Sequence, residues 1–178
     1  MSDVNKPVSG VEEAITTSIA FETRVRNTYR DAMKAATDAI GERVFKLLAD
    51  EEQGHLDYLQ SRLEEWRSTG RIIPEKLQTA VPPQEVINQQ AKVLSEKLAG
   101  DARGQEVEML RKAELVEAEV SEFYARMVDE LEDEAKLMFQ RFLEIEKGHL
   151  AIVRAEIDAL SGSGYFFDIG EFDMESGG

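Results

Sequence analysis

The stretches Glu52-Gln53-Gly54-His55 and Glu146-Lys147-Gly148-His149 repeat one pattern of glutamate, glycine and histidine, and they contain both histidines of the 178-residue chain. In a helix, residues three apart lie on one face and one turn apart, so each stretch offers a carboxylate and an imidazole side by side. Glycine inside a helix costs about 1 kcal/mol relative to alanine. Its repetition therefore predicts crowding beside each histidine.

Apolar residues recur at helical spacing around both stretches and in two further segments. Glycine and proline lie mainly between these segments, and the alternating β-branched runs typical of strands are absent from the sequence. A capping box is predicted at Ser9 and Glu12. We predict four long helices, at about 11–36, 42–67, 106–131 and 134–160, and a shorter one at 84–98.

This order of helices predicts an all-α protein, a ferritin-like four-helix bundle built of two antiparallel hairpins. The bundle takes residues 1–160, and a crossover at 69–103, which contains the short helix, joins the hairpins. We expect that helix to cover one side of the bundle or to form a dimer contact. An aromatic and acidic tail follows at 161–178, and we expect its aromatic side chains to dock on a groove or a neighbouring subunit.

Composition limits the classes of function open to the chain. The formal net charge of −15, from 36 acidic and 21 basic residues, argues against binding nucleic-acid phosphates. The absence of cysteine excludes disulfides, thiolate nucleophiles and cysteine-bound clusters. No apolar run reaches the length that crosses a membrane, and the first residues form no apolar signal segment. We therefore expect a cytoplasmic protein that binds neither nucleic acid nor membrane.

Each long helix carries polar groups where its apolar stripe should be buried. The spacing of these groups repeats, because 30 residues separate Glu22 from Glu52 and 29 separate Glu117 from Glu146. In antiparallel hairpins they would meet at one level, about 22 Å from the joints at ~1.5 Å per residue. The sequence thus predicts six metal ligands: Glu22, Glu52, His55, Glu117, Glu146 and His149.

A cation is needed to compensate these carboxylates, because an unpaired buried carboxylate costs more than the net stability of a domain. Two divalent ions would balance four carboxylates if both histidines are neutral. Oxygen and imidazole ligands suit iron, manganese or zinc, and iron is favoured because carboxylates tolerate both its ferrous and ferric states. A tyrosine follows each single glutamate by seven residues, on the same helix face, and is predicted to support a carboxylate: Tyr29 and Tyr124.

The chain resembles the rubrerythrin branch of the ferritin-like superfamily over about residues 10–160. Three stretches carry the resemblance, at 20–29 (AFETRVRNTY), 49–55 (ADEEQGH) and 144–149 (EIEKGH). It implies that the six candidates hold two irons, and that Glu117 bridges them together with Glu52 or Glu22. It also implies reduction of hydrogen peroxide or dioxygen coupled to the oxidation of Fe(II).

Two features depart from that family. Rubrerythrins proper carry a cysteine-ligated rubredoxin module, and this chain has no cysteine. They also carry a further glutamate on the third helix, one turn beyond the shared one, where this chain has Val120. A six-ligand, ferritin-like site is therefore the closer match.

We expect a di-iron oxidoreductase that uses a small oxidant, takes electrons from Fe(II) or an external donor, and forms a homodimer. One alternative is iron storage in a ferritin-type cage. Another is a non-enzymatic bundle whose polar centre is a hydrogen-bond network or a zinc site. Glu156 lies on a stripe but near a helix end, where it could reach water. Four other acids are interpreted as solvated: Glu51, Glu114, Glu119 and Glu144.

Overall fold

Five helices make up most of the part of the chain that the structure describes, residues 10–73, 75–95, 104–163 and 166 of a computed structural model. They are α1 (Val11–Ala35), α2 (Ala39–Thr69), α3 (Gln84–Ser95), α4 (Gly104–Glu130) and α5 (Asp133–Ser163). No strand occurs within these ranges. The prediction of an all-α protein is therefore confirmed. None of the described helices has an apolar stretch long enough to cross a membrane.

The limits of α2 are set by two residues with capping roles. The helix begins at Ala39, before the expected Glu42, because the Asp38 carboxylate accepts hydrogen bonds from two backbone N–H groups at 2.8 and 3.1 Å. It ends at Thr69, and the following C-cap residue, Gly70, adopts a φ of 68° and donates its N–H to the carbonyl of Trp66. Glycine adopts this left-handed conformation without steric cost, so it stops the helix cleanly.

The N-cap of the first helix is Gly10, whereas the predicted capping box placed Ser9 there. Ser9 itself lies outside the described residues. Glu12 instead pairs with Arg67, near the end of α2, at 2.8 Å. At the other end of the bundle, α5 continues past its predicted end at about residue 160 and reaches Ser163.

Two pairs of neighbouring helices form the body of the protein. The first pair is α1 with α2 and the second is α4 with α5, while α1 also contacts α4. Where α1 contacts α4, Arg24 on α1 forms a surface ion pair with Glu119 on α4 at 2.7 Å. Apolar side chains fill the space between the helices, among them the fully buried Phe45, Leu110 and Phe142. Each such burial stabilises the fold by about 1.5–3 kcal/mol.

The connection between α2 and α4 is held against α2 and α5. We name residues 75–83 the crossover strap; its Leu77 and Val81 are buried. Arg141 on α5 donates to the Leu77 carbonyl at 3.1 Å, and Tyr58 on α2 donates to the Glu75 carbonyl at 2.6 Å. Further along the chain, α3 packs against α5. The short helix thus covers one side of the bundle, and its role in a dimer stays a prediction.

One aromatic residue of the tail docks on the helices. Phe166 is buried and meets Phe45 of α2 edge-on, with ring centroids 5.9 Å apart. A Cβ atom at Gly41 would lie only 2.5 Å from the Phe166 ring, so a side chain there would displace it. The expected docking on a groove is found for this residue. The other tail aromatics lie outside the described residues: Tyr165, Phe167 and Phe172.

Candidate metal centre

The six predicted ligands meet in the interior of the bundle. Helices α1 and α4 each supply one glutamate, and α2 and α5 each supply a glutamate and, one turn later, a histidine. None of the six side chains is more than 1% exposed. The apolar stripes are therefore buried as predicted, and the polar groups are buried with them: Glu22, Glu52, His55, Glu117, Glu146 and His149.

His55 lies against three carboxylates. Its Nδ1 atom is 3.0 Å from Glu146 Oε1, 3.1 Å from Glu52 Oε2 and 3.5 Å from Glu22 Oε2. None of these four atoms has a hydrogen-bond partner among the described residues. Ligand atoms that lie within 4.8 Å of one another without forming hydrogen bonds are arranged as they would be around a shared metal ion.

His149 lies against a second set of carboxylates. Its Nδ1 atom is 2.7 Å from Glu52 Oε1, 3.6 Å from Glu146 Oε2 and 3.7 Å from Glu117 Oε1. The rings of His149 and His55 stack with their planes 8° apart and their centroids 5.3 Å apart. The two histidines therefore lie side by side, each with Nδ1 next to carboxylates.

Glu52 and Glu146 belong to both sets. Each places one oxygen near His55 and the other near His149. Glu117 belongs to the His149 set alone. The geometry thus makes Glu52 and Glu146 the shared pair, whereas the family resemblance implied Glu117 together with one of two other glutamates.

The remaining two glutamates are each hydrogen-bonded to a tyrosine. Tyr29 donates its hydroxyl hydrogen to Glu117 Oε1, and Tyr124 donates to Glu22 Oε1. Each tyrosine therefore contacts the glutamate of the other helix and not the one that precedes it by two turns. Both tyrosines are fully buried. One oxygen of each glutamate is engaged in this way, and the other, Oε2, has no hydrogen-bond partner among the described residues.

Mutual repulsion favours bound protons in this cluster. Burial and the charge of Glu22 raise the pKa of Glu52 to about 8. Burial and the charge of Glu117 raise the pKa of Glu146 well above its usual range. Burial would lower the pKa of both histidines, but the surrounding carboxylates outweigh it and raise them. For Glu22, burial would raise the pKa, but the close approach of the Glu52 side chain and the charge of His55 outweigh it, and the pKa falls to about 2.

The cluster fits a pair of divalent metal ions. Oxygens of all four glutamates are buried without a hydrogen-bond partner among the described residues. Each such atom costs about 1–3 kcal/mol, and more when charged, unless something pairs with it. Two divalent cations would pair with all of them and cancel four negative charges. Oxygen and imidazole donors suit iron, manganese or zinc.

One carboxylate beside the histidines was missed from the sequence. Glu51, interpreted as solvated, is hydrogen-bonded to His149 Nε2 at 3.2 Å and lies 4.0 Å from His55 Nε2. Thr79 and Ala80 of the crossover strap donate to it at 2.7 and 2.6 Å. Burial is outweighed by its contacts with His149, Ala80 and Thr79, so its pKa falls to about 2. Helical spacing places Glu51 beside the buried stripe of α2 and not on it, so the sequence pattern indicated a solvated side chain. In the structure the crossover strap covers it.

The other acids singled out from the sequence divide between surface and core. Glu114, Glu119 and Glu144 form ion pairs with arginines at the surface, as expected of solvated faces. Glu156 is fully buried, so the expectation that it reaches water is wrong. Val120 is buried among apolar side chains, so α4 brings one carboxylate to the cluster.

The two glycines of the repeated pattern have different surroundings. A Cβ atom at Gly148 would lie 3.0 Å from the carbonyl oxygen of Pro82 in the strap. A Cβ atom at Gly54 would meet no described atom within 4 Å. The predicted crowding is therefore confirmed beside His149 and wrong beside His55.

Comparison with known proteins identifies the family to which the chain belongs. Residues 13–157 match the family model described as Rubrerythrin, a range that includes all six candidate ligands, and no rubredoxin module is shown. No curated protein and no solved structure gives a significant match. The all-helical fold and the buried carboxylate and histidine cluster agree with the family match, and the chain belongs to the rubrerythrin family of the ferritin-like di-iron carboxylate superfamily.

Proposed function

We propose that this protein is a di-iron carboxylate oxidoreductase that oxidises Fe(II) with hydrogen peroxide or dioxygen. One observation carries the proposal: Glu52 and Glu146 each place one oxygen beside each of the two buried histidines. Bound iron would supply the redox chemistry, since it passes electrons to a small oxidant while changing between its ferrous and ferric states. Oxidoreductase activity is typical of the rubrerythrin family, which supports this function over a purely structural metal site.

The ligands divide into two single-ion sets and a shared pair. One ion would take Glu22 and His55, the other Glu117 and His149, and both would take the shared carboxylates. The charges of four carboxylates and two divalent ions then cancel if both histidines are neutral. The donor atoms also suit manganese and zinc, and membership of the family favours iron.

Neighbouring side chains hold the ligands and exclude water. Phe142 packs edge-on against His55 with ring centroids 5.5 Å apart. It also packs against Tyr124 in a tilted contact, with ring centroids 5.2 Å apart. Burial and then the nearby glutamate charges raise the pKa of Tyr29 and Tyr124 well above the usual range. Both hydroxyls therefore keep their protons and act as donors to the carboxylates. The apolar Val120 adds no further ligand.

We extend the proposal to the ferritin-like arrangement predicted from the sequence, in which α1–α2 and α4–α5 are hairpins joined by the crossover. The pair between Glu12 and Arg67 supports the first hairpin, since it links the start of α1 to the end of α2. A cytoplasmic homodimer that takes electrons from Fe(II) or an external donor completes the proposal. Its mass in solution separates this dimer from the much larger cage that iron storage requires.

Anaerobic loading with Fe(II), followed by hydrogen peroxide, tests the proposed function. We expect about two iron ions per chain. Each hydrogen peroxide should take one electron from each of two Fe(II) ions and should also take up two protons, which gives two waters and two Fe(III). The oxidation is observed as new absorbance from ferric iron. Glu119→Ala is the control variant, because this carboxylate pairs with Arg24 at the surface and should not affect loading. Binding of well under two irons per chain would contradict the proposal. So would the absence of oxidation both by peroxide and by dioxygen admitted to a second loaded sample.

A further inference from the structure

Glu51 is the carboxylate at the metal centre for which the proposed function gives no role. Its side chain is 9% exposed and meets His149 at Nε2, at 3.2 Å. The same oxygen, Oε2, lies 4.0 Å from His55 Nε2. The glutamate cluster faces the Nδ1 atoms of these histidines instead. Each imidazole is therefore in contact with carboxylates at both of its nitrogens.

The oxygens of Glu51 are paired, in contrast to those of the cluster. Oε1 accepts the backbone N–H of Ala80 at 2.6 Å, and Oε2 accepts the hydroxyl of Thr79 at 2.7 Å. In the cluster, one or both oxygens of every glutamate lack a hydrogen-bond partner among the described residues. A carboxylate that is already hydrogen-bonded is suited to orienting a neighbour. Unpaired carboxylates are suited to binding a cation.

The position of the hydrogen on each histidine ring links the orienting role of Glu51 to metal binding by the cluster. A neutral imidazole carries one N–H, so a metal ion at Nδ1 requires the hydrogen at Nε2. A carboxylate that accepts a hydrogen bond from Nε2 favours this tautomer and fixes the ring plane. We propose that Glu51 is a positioning residue that fixes His149 directly, and His55 at longer range, in the tautomer that presents Nδ1 to the metals. The inference rests on the proposed function, since it takes the metals to lie on the Nδ1 side.

The crossover strap becomes part of the metal centre through this contact. Thr79 and Ala80 hold Glu51, and Gly148 allows the strap to approach the helix that carries His149, because a Cβ there would meet Pro82 at 3.0 Å. Loss of Glu51 should therefore affect the ion bound at His149 more than its neighbour.

Glu51 also lies in a geometry that would admit an ion of its own. Glu51, His55 and His149 have ligand atoms within 4.8 Å of one another. An ion there would require Nε2 of both rings without hydrogen, which is the opposite tautomer. The hydrogen bonds from Thr79 and Ala80 already engage the Glu51 oxygens, and we favour the positioning role for that reason.

Zinc binding to ¹⁵N-histidine-labelled protein tests the proposal, because Zn(II) is diamagnetic and both ring nitrogens can be observed by NMR. The unaltered protein should bind two zinc ions and show an N–H at Nε2 of both histidines. Glu51→Gln should lower zinc affinity by roughly 10–100-fold. It should also shift the Nε2–H signal of His149 more than that of His55. Asp50→Asn, on the same helix and 64% exposed, should change neither quantity.

Thr79→Val provides an independent variant that touches neither histidine. It removes one donor to Glu51, and should shift the His149 signal in the same direction by a smaller amount. It decides the matter if Glu51→Gln fails to fold, as judged by circular dichroism. Wild-type affinity and signals in both variants would overturn the proposal. So would a third zinc ion with unprotonated Nε2 atoms that Glu51→Gln removes. Failure of the unaltered protein to bind two zinc ions would instead contradict the proposed function.

Discussion

The α1–α2 half and the α4–α5 half of the protein match inside the metal centre and differ outside it. Inside, each half supplies a tyrosine-bound glutamate, a shared glutamate and a histidine whose Nδ1 faces carboxylates. Outside, the strap crowds Gly148 and leaves Gly54 open. Of the two histidines, His149 is hydrogen-bonded to Glu51 and His55 is not. The two ions of the proposed function would favour equal ligand sets, whereas the crossover strap lies closer to one histidine than to the other.

The largest expected effects test the matched interior. Glu52→Ala and Glu146→Ala each remove ligand oxygens from both sets, so both variants should lose nearly all iron. Glu117→Ala removes a ligand from one set and should keep about one iron per chain. Iron analysis after anaerobic loading and desalting measures these outcomes.

The surface variant Glu119→Ala serves as the control for this series and should load as the unaltered protein does. If Glu117→Ala loses both ions while Glu146→Ala keeps one, the assignment of the shared pair is wrong. Unequal losses for Glu52→Ala and Glu146→Ala would show that the halves are not equivalent inside the centre.

The pH dependence of stability should have opposite signs with and without metal. Unfolding of the chelator-treated protein lets Glu52 ionise at its ordinary pKa of 4.5, whereas the folded protein holds that proton until about 8. The folded state is therefore favoured below 4.5, and stability declines as pH rises from 4.5 through 8. The raised pKa values of His55 and His149 act in the same direction. Metal binding displaces these protons, so zinc affinity should increase with pH.

Urea unfolding at several pH values between 5 and 8, with chelator and with excess zinc, measures both trends. Glu52→Gln removes one titrating group and should flatten the chelator-treated profile. A profile without slope for the unaltered protein would contradict the repulsion described for the cluster.

Moderate and equal effects are expected from the two buried tyrosines. Tyr29→Phe and Tyr124→Phe each leave one oxygen of a buried glutamate without its donor, which should lower the free energy of unfolding by about 1–3 kcal/mol. Tyr58→Phe is the matched control, because its hydroxyl donates to the Glu75 carbonyl at the protein surface and should cost less. Urea unfolding of all three variants at one pH gives the comparison. Clearly unequal costs for Tyr29 and Tyr124 would break the symmetry of the interior.

The smallest effects test the unequal exterior. Gly54→Ala gains helix propensity in open surroundings and should stabilise the protein by about 0.5–1 kcal/mol. Gly148→Ala gains the same propensity but places a methyl group 3.0 Å from the Pro82 carbonyl, so it should gain nothing or destabilise. Thermal unfolding of the two variants side by side measures the difference. Equal stabilisation would show that the strap yields freely and does not crowd α5.

Helical spacing was enough to predict the helices and the burial of the six glutamates and histidines, because a residue on the buried stripe of a helix is recognised by its period. It could not assign the shared pair, since that depends on which oxygens Tyr29 and Tyr124 engage across helices. It also missed Glu51, which lies one residue from the buried stripe of α2. The crossover strap covers this side chain, and the strap has no periodic pattern from which its position could be predicted. For the same reason the repeated glycines looked equivalent in sequence.

The most direct test of the central claim is anomalous diffraction at the iron edge from crystals of the Fe(II)-loaded protein. The account predicts two iron peaks per chain on the Nδ1 side of the histidines, with oxygens of Glu52 and Glu146 next to both peaks and Glu51 next to neither. A single peak, or a peak between Glu51 and the Nε2 atoms, would contradict it.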